Sequence, residues 1–489
     1  MSNSVTGEAR MYINGELVEA LSGRTYDNIN PATEAVLGLV ADADPVDMQR
    51  AIGAARVAFD ETDWSTSHQQ RFAILRRFAD AIKAAADDVL RPLIIAEVGQ
   101  PHVVTLGPGC DEPIKHLDWV LETMENFQWQ RNLPEVLSNG VQSKRQVWHE
   151  AVGVVAAITP WNFPLQTNLA KIFPALAAGN TVVLKPAPDT PWTATALGKI
   201  AADVGLPPGV FNVVTARDPA EVGEMLCTDP RVDMVTFTGS TAVGKRIMVA
   251  GAETVKKVFL ELGGKSALIL LDDADFDSAL LYGLGVCYHA GQGCAILTRL
   301  LVPRSRYREA VDKLTPLFQG MTYGDPTDPQ YIMGPVINKA QYDKILGLIQ
   351  TGIDEGATLA AGGGAAEELD KGFFIQPTLF TDVSNEMIIA RKEIFGPVLV
   401  MIPFDDDDDA VRIANDSPYG LSGGIHSADK ARALALARRI RSGTISINGG
   451  GFFGADAPFG GFKQSGIGRE MGLEGLAEYL EVKTVGYPV

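Results

Sequence analysis

Cysteine is scarce: Cys110, Cys227, Cys287 and Cys294 are the only four in 489 residues. So few thiols make no disulfide framework, and none stands in a C-x-x-C pair that would bind zinc or cycle through redox states. The thiols are expected to be reduced and individually available for chemistry. The six histidines (His68, His102, His116, His149, His289, His426) pair neither with one another nor with cysteine at metal-ligand spacing, so no metal site is expected. Basic charge is also short, with 42 Lys and Arg against 60 Asp and Glu and a formal net charge of −18. Such a surface repels phosphate backbones and anionic bilayers, which excludes nucleic acid and membrane as natural partners. No apolar run approaches the roughly 18 residues of a membrane span, and the opening MSNSVTGEAR lacks the cationic start and apolar middle of a secretion signal. A soluble, cytoplasmic protein is expected. There is no internal repeat, and DDDDD (405–409) is the only low-complexity run. Five adjacent aspartates project in different directions, so the run is expected to open a solvated helix and not to ligate a cation.

What is present is an ordinary globular composition, 46% hydrophobic, in a chain longer than one core usually organises, so two or three lobes are expected. Residues 12–41 read as short strands and turns, and 45–99 carry helical spacing with good helix formers. From 151 to 261, short β-rich runs alternate with helix-like stretches: VVAAI (154–158), TVVLK (181–185), FNVVT (211–215), VDMVTF (232–237) and KVFLEL (257–262). That alternation predicts parallel βαβ units in a doubly wound sheet. Ligands bind beyond the carboxyl ends of such strands, where this chain places Trp161, Asn162, Lys185, Gly239, Ser240 and Glu261. After 264 a second α/β region follows, with strand-like ALIL (267–270), a helix-like stretch 276–290, a loop holding Cys294, and strand-like GTISIN (443–448). Segment 129–150 and the tail AEYLEVKTVGYPV look extended, lie outside both lobes and suit an oligomer contact.

Several residues carry two readings at this level. FTGSTAVGK sets Gly239 and Gly244 at a strand-to-helix turn, which suits a pyrophosphate facing helix N–H groups and equally a tight packing turn. Cys294 sits in HAGQGCAIL behind two glycines with a glutamine between them; it is either an inert core thiol or a nucleophile, and the latter needs a site that stabilises its anion. Cys287, inside an apolar run, fits the inert reading better. Glu261 emerges from a buried strand, where burial would raise its pKa and suit it to activating water, or it caps the Gly263–Gly264 turn. The Asn162 amide in TPWNFP could stabilise an oxyanion or form a turn. His289 reads as a helix C-cap before it reads as a base.

Taken in order, TPWNFP (159–164), FTGSTAVG (237–244), LELGGKS (260–266), GQGC (291–294), EIFGPV (393–398) and PFGGFKQSGIGRE (458–470) resemble the aldehyde dehydrogenase superfamily over nearly the whole chain, including the early INGE and NPAT. The resemblance implies two Rossmann-like doubly wound parallel-sheet domains plus a small β element for oligomerisation. Residues 1–128 and 151–262 would form a discontinuous cofactor-binding domain, 263–465 the catalytic domain, and 129–150 with 478–489 the oligomerisation strands of a homodimer or homotetramer. It implies Cys294 as nucleophile on an aldehyde, Asn162 with the Cys294 backbone N–H holding the oxyanion, and Glu261 activating the water that hydrolyses the thioester. Lys171 and Glu470 would belong to a proton path. Thr159, Pro160, Trp161, Asn162, Lys185, Pro188, Gly239, Ser240, Leu262, Gly263, Glu393 and Phe395 would bind the cofactor: Lys185 at the adenosine ribose, Gly239 opening the phosphate turn, Glu393 and Phe395 at the nicotinamide ribose.

One departure concerns the cofactor. Many NAD-preferring members carry an acidic residue three positions after the lysine matching Lys185, whereas here KPAPDT puts Pro188 there. Asp189 is a candidate replacement acceptor and no arginine stands nearby in sequence, so NAD is expected, with NADP left open. By the same resemblance the aldehyde would meet Phe163, Gln166, Thr167, Ala170, Tyr288, Phe453 and Phe459, which suggests an apolar or aromatic substrate. The competing expectations are acyl transfer to coenzyme A, whose enzymes lack the glutamate matching Glu261, and a nucleotide-binding homologue without activity.

Overall fold

The computed structural model describes residues 5–489; the first four residues, part of the opening stretch examined above for a leader, lie outside it. Three sheets carry most of the strand content. In the first, five strands run parallel in the spatial order Lys257–Glu261, Met234–Thr238, Val154–Ile158, Thr181–Lys185 and Phe211–Val213. Short antiparallel strands close both margins: Gly466–Ile467 beside Lys257–Glu261, and the hairpin Met11–Ile13 with Glu16–Val18 beside Phe211–Val213. Helices cover both faces, so the inner strands are buried throughout and read as continuous apolar runs.

The register of this sheet builds the site. Thr238 stands opposite Glu261, Phe237 opposite Ile158, and Ile158 opposite Lys185. With neighbouring strands about 4.8 Å apart, this line of strand ends spans ~14 Å, long enough for an extended dinucleotide to lie across it.

The second sheet is parallel except at one margin. Its order is Thr358–Ala361, Thr378–Thr381, Val398–Phe404, Leu297–Pro303, Ser266–Leu270, Gly423–His426, Ser446–Ile447. Ser266 and Leu297 are register partners at the start of adjacent strands. The segments leading into them, which carry Glu261 and Cys294, therefore approach the same edge, facing the first sheet.

Two expectations need correction, and the one for the acidic run holds. GTISIN forms a strand only at Ser446–Ile447, an edge position paired on one side. The stretch 276–290 is α-helical only over Phe276–Ala279 and continues as a 3-10 helix through Leu280–Gly291, with Tyr288, His289 and Ala290 outside helical geometry. Asp405 lies before the helix Asp407–Asn415, whose N-cap is Asp406, accepting from the Asp409 N–H; the acidic run does open a helix, and Asp405, Asp407, Asp408 and Asp409 pair with Arg304, Arg432, Arg439 and Arg412.

Segment 129–150 and the tail are strands: Gln130–Ser138, Val141–Ala151 and Leu480–Pro488 form an antiparallel sheet with Val141–Ala151 in the middle. Elsewhere a buried carboxylate organises a helix start. Glu97 accepts from the N–H groups of Trp192 and Thr193, the Thr193 hydroxyl and the Asn28 amide, filling the orphan donors that open Pro191–Asp203. Among the described residues, no helix is long and apolar enough to cross a membrane.

Candidate active site

A cleft follows the strand ends of the first sheet in two connected compartments. The smaller, about 200 Å³, is lined by Pro160, Trp161, Asn162, Thr238, Gly239, Ser240, Glu261, Leu262, Gly263, Cys294, Gln341, Lys344, Glu393 and Phe395. The larger, about 500 Å³, shares Pro160, Trp161, Thr238, Gly239 and Ser240 with it and adds Thr159, Lys185, Pro188, Glu224, Arg246 and others. All twelve residues assigned to the cofactor from sequence thus border one continuous space.

The loop that carries Cys294 is pinned by close backbone contacts. His289, Ala290 and Gly291 adopt successive left-handed conformations (φ 50°, 52° and 73°), and a Cβ on Gly291 would collide with the Gly396 carbonyl. Gly264 is equally constrained, since a Cβ there would lie 2.5 Å from the Cys294 carbonyl oxygen. Gln292 ties the loop down, donating to the His289 and Pro335 carbonyls and accepting from the Ile337 N–H at 2.9 Å. Cys294 itself is half-buried and opens on the smaller compartment, whereas Cys110, Cys227 and Cys287 are buried.

Asn162 is joined to this loop. Its Nδ2 donates to the Gln292 carbonyl at 2.8 Å, leaving one amide hydrogen uncommitted. Its own carbonyl accepts from His289 Nε2 at 2.9 Å and from Gln100 Nε2 at 3.4 Å. His289 is therefore no helix C-cap: it is fully buried against Asn162 and packs edge-on to Phe163, and burial lowers its pKa to about 4, which keeps it neutral. With Nε2 serving as donor to that carbonyl, the lone pair is on Nδ1, which is buried without a partner.

Glu261 ends its strand with 2% of its surface exposed and with neither carboxyl oxygen hydrogen-bonded. Burial, then the Glu470 carboxylate, push its pKa well above the usual carboxylate range, while Lys171 and Arg469 pull the other way. It does not cap the Gly263–Gly264 turn; there the Gly264 N–H donates to Glu393 Oε1 at 2.8 Å. Lys171 and Glu470 form a buried pair at 2.5 Å, with Lys171 also 4.9 Å from the Phe259 ring centre. The Cys294 thiol is raised by burial and then by the carboxylates of Glu261, Glu393 and Glu470, so the resting sulfur is protonated.

The donor set fits a nicotinamide dinucleotide. Ser240 caps the eleven-residue helix Thr241–Gly251, accepting from the Val243 N–H, and a Cβ on Gly239 would lie 2.5 Å from the Phe237 ring, so the turn offers backbone alone. Lys185 is buried with one hydrogen bond, to the adjacent Pro186 carbonyl, and burial lowers its pKa to about 8. Trp161 and Phe395 meet edge to face at 5.4 Å beside Glu393.

Sequence reasoning missed Gln341 and Lys344, on the helix Lys339–Asp354, and Arg246. Gln341 donates to the Ile394 and Phe395 carbonyls and so fixes the segment bearing Glu393 and Phe395. Nothing local in sequence marks these residues; only the fold brings them to the cleft. Asp189, offered as an acceptor for the cofactor, instead accepts from Asn338 Nδ2 at 2.9 Å and is turned away.

The residues assigned to the aldehyde are less unified. Gln166 and Ala170 line a cavity beside His116, Trp119, Phe173 and Glu470. Phe453 meets Phe459 at 5.9 Å and His116 at 6.0 Å, forming an aromatic row. Phe163 packs against His289 beside the Cys294 loop, Tyr288 is half-buried at the loop's start, and the Thr167 hydroxyl is spent on the Phe163 carbonyl at 3.0 Å.

Comparison with known proteins agrees with this geometry. The family model described as the aldehyde dehydrogenase family matches residues 17–485. A 3-succinoylsemialdehyde-pyridine dehydrogenase from Pseudomonas sp. is 41% identical over 482 residues, covering 97% of this chain and 98% of the relative. The solved betaine aldehyde dehydrogenase from Staphylococcus aureus in complex with NAD+ superposes with a TM-score of 0.93 at 36% identity, covering 98% and 95% of the two chains. The NAD+ complex of aldehyde dehydrogenase from Bacillus cereus gives 0.94 at 38% identity, covering 99% and 98%. With a cysteine, an amide and an unpartnered carboxyl bordering one cleft across two Rossmann-like sheets, and with that match over nearly its whole length, the chain belongs to the aldehyde dehydrogenase family.

Proposed function

We propose that this protein oxidises an aldehyde to its carboxylic acid with NAD as acceptor, through an acyl group carried on Cys294 and released by water that Glu261 activates. The observation that carries this reading is Glu261: a buried carboxyl with no hydrogen-bond partner, bordering the same compartment as Cys294. A structural carboxylate in that position would be expected to find donors, whereas a general base needs free oxygens.

The chain's own groups divide the work as follows. The Cys294 sulfur adds to the aldehyde carbon as its proton passes to the Glu261 carboxylate, so no isolated thiolate has to persist in a field that disfavours it. The developing oxyanion is held by the free hydrogen of the Asn162 amide and by the Cys294 N–H. Bound NAD supplies the acceptor for the hydride that leaves the substrate carbon. Glu261 then hands its proton toward the Glu470 carboxylate, which Lys171 holds as an ion pair, takes one from water, and the resulting hydroxide displaces sulfur from the thioester to give the acid. Glu393, fixed by Gly264, and Lys185 bind and orient the two ends of the cofactor.

An apolar or aromatic aldehyde suits the aromatic row of His116, Phe453 and Phe459, and the pyridine-bearing compound in the name of the Pseudomonas relative is of that class. The test is NADH release across an aldehyde panel with wild type, Cys294→Ser and Glu261→Gln. The expected result is turnover best with aromatic aldehydes and abolished by Cys294→Ser; undiminished turnover in Cys294→Ser, or preference for a small charged semialdehyde, contradicts the mechanism or the substrate class respectively.

A further inference from the structure

The larger compartment carries charges that the cofactor reading above does not use. Arg246, on the helix Thr241–Gly251, and Glu224, on the helix Pro219–Thr228, both line it, and Arg246 Nε donates to Glu224 Oε2 at 2.9 Å. Their side chains are 71% and 39% exposed, so the pair stands at the lip. Lys185 lies at the floor, and a Cβ built on Gly223, the residue before Glu224, would be 3.6 Å from Lys185 Cε. Floor and lip are therefore joined through two consecutive residues.

The charges around this end are two cations, Lys185 and Arg246, and two carboxylates, Glu224 and Asp218. Asp218 is committed to capping its helix, accepting from the Ala220 N–H at 2.9 Å, and acts on Lys185 through its charge. Pro188 has no charge, and Asp189 is held by Asn338. The compartment is balanced only while Glu224 is ionised and holds Arg246. A 2′-phosphate, carrying nearly two negative charges, would meet a carboxylate at the lip and an arginine whose charge that carboxylate already offsets through Nε; without Glu224 it would meet two cations facing one carboxylate.

We propose that Glu224 is the specificity-determining residue against the 2′-phosphorylated dinucleotide, acting both by its own charge and by withholding Arg246. The proposal rests on the assignment of this cleft to a nicotinamide dinucleotide. It locates the discrimination on a helix remote in sequence from the lysine, at a position unrelated to the one left uncharged by Pro188.

The test is equilibrium binding without aldehyde, followed by tryptophan fluorescence or calorimetry, of NAD and NADP to wild type, Glu224→Gln, Arg246→Gln and the double variant at low and high salt. Glu224→Gln is expected to raise the ratio of the NAD to the NADP dissociation constant about tenfold, the order expected for one part-exposed charge. Arg246→Gln should lower that ratio, the double variant should lose the gain, and high salt should shrink it. A ratio in Glu224→Gln equal to that of wild type overturns the proposal. Failure of wild type to bind either dinucleotide overturns the cofactor reading and this proposal with it.

Discussion

At the scale of single residues, the site is organised around negative charge. Glu261, Glu393 and Glu470 all raise the Cys294 thiol, and Glu470 also raises Glu261, with Lys171 as a counterweight. In the proposed mechanism the basic form of Glu261 activates the water, so thioester turnover should be lost as pH falls through its elevated pKa. The signs of two substitutions follow. Lys171→Met removes a lowering influence and should move the acid limb of kcat to higher pH; Glu470→Gln removes a raising one and should move it lower. Shifts in the same direction would contradict this electrostatic account. Asn162→Ala removes the proposed oxyanion donor and should reduce kcat by about 10²–10³ with a smaller change in KM, measurable by steady-state kinetics.

At the scale of elements, Cys294 is carried by a loop whose backbone has no room. Gly291→Ala forces a side chain onto a left-handed residue against the Gly396 carbonyl, and is expected to lower kcat and the thermal midpoint together. A variant matching wild type in both would show that the loop can relax. Glu97→Ala should destabilise by about 1–3 kcal/mol by stranding buried donors at the start of Pro191–Asp203, detectable as an earlier denaturation midpoint.

The same elements explain what could be read from sequence. Strands buried on both faces read as apolar runs, and the first chemical residue after each run marks the cleft, so Glu261, Lys185, Gly239 and Asn162 were legible from pattern alone. The stretch 276–290 was misread because its apolar residues and glycines suit a helix of either winding, and the backbone that packs against Gly291, at Gly396, lies in a segment distant in sequence. Contacts such as His289 with the Asn162 carbonyl, Gln341 with Phe395, and Arg246 across the cleft join distant segments and leave no local signal.

For the whole molecule, two parallel-sheet lobes meet where strand ends of one face strand starts of the other, and a third sheet stands apart. That third sheet has two outer strands, each paired on one side only, and exposes Leu137, Val141, Val482 and Val489. We read it as an assembly surface for a homodimer or homotetramer. Light scattering should report such a species for wild type and a smaller one for the double variant Leu137→Asp and Val482→Asp; a monomeric wild type would contradict the assignment. The position of the sheet along the chain was visible as two extended segments, but its partner strands are nearly 340 residues apart and their pairing was not.

The most direct measurement of the central claim is intact and peptide mass spectrometry of Glu261→Gln after a single exposure to NAD and a reactive aldehyde. The account predicts no more than one equivalent of NADH, released more slowly than from wild type because the amide cannot take the thiol proton, and an acyl group mapped to the peptide containing Cys294 that persists because the water is no longer activated. NADH formed over many turnovers, or an acyl group on any other residue, would contradict it.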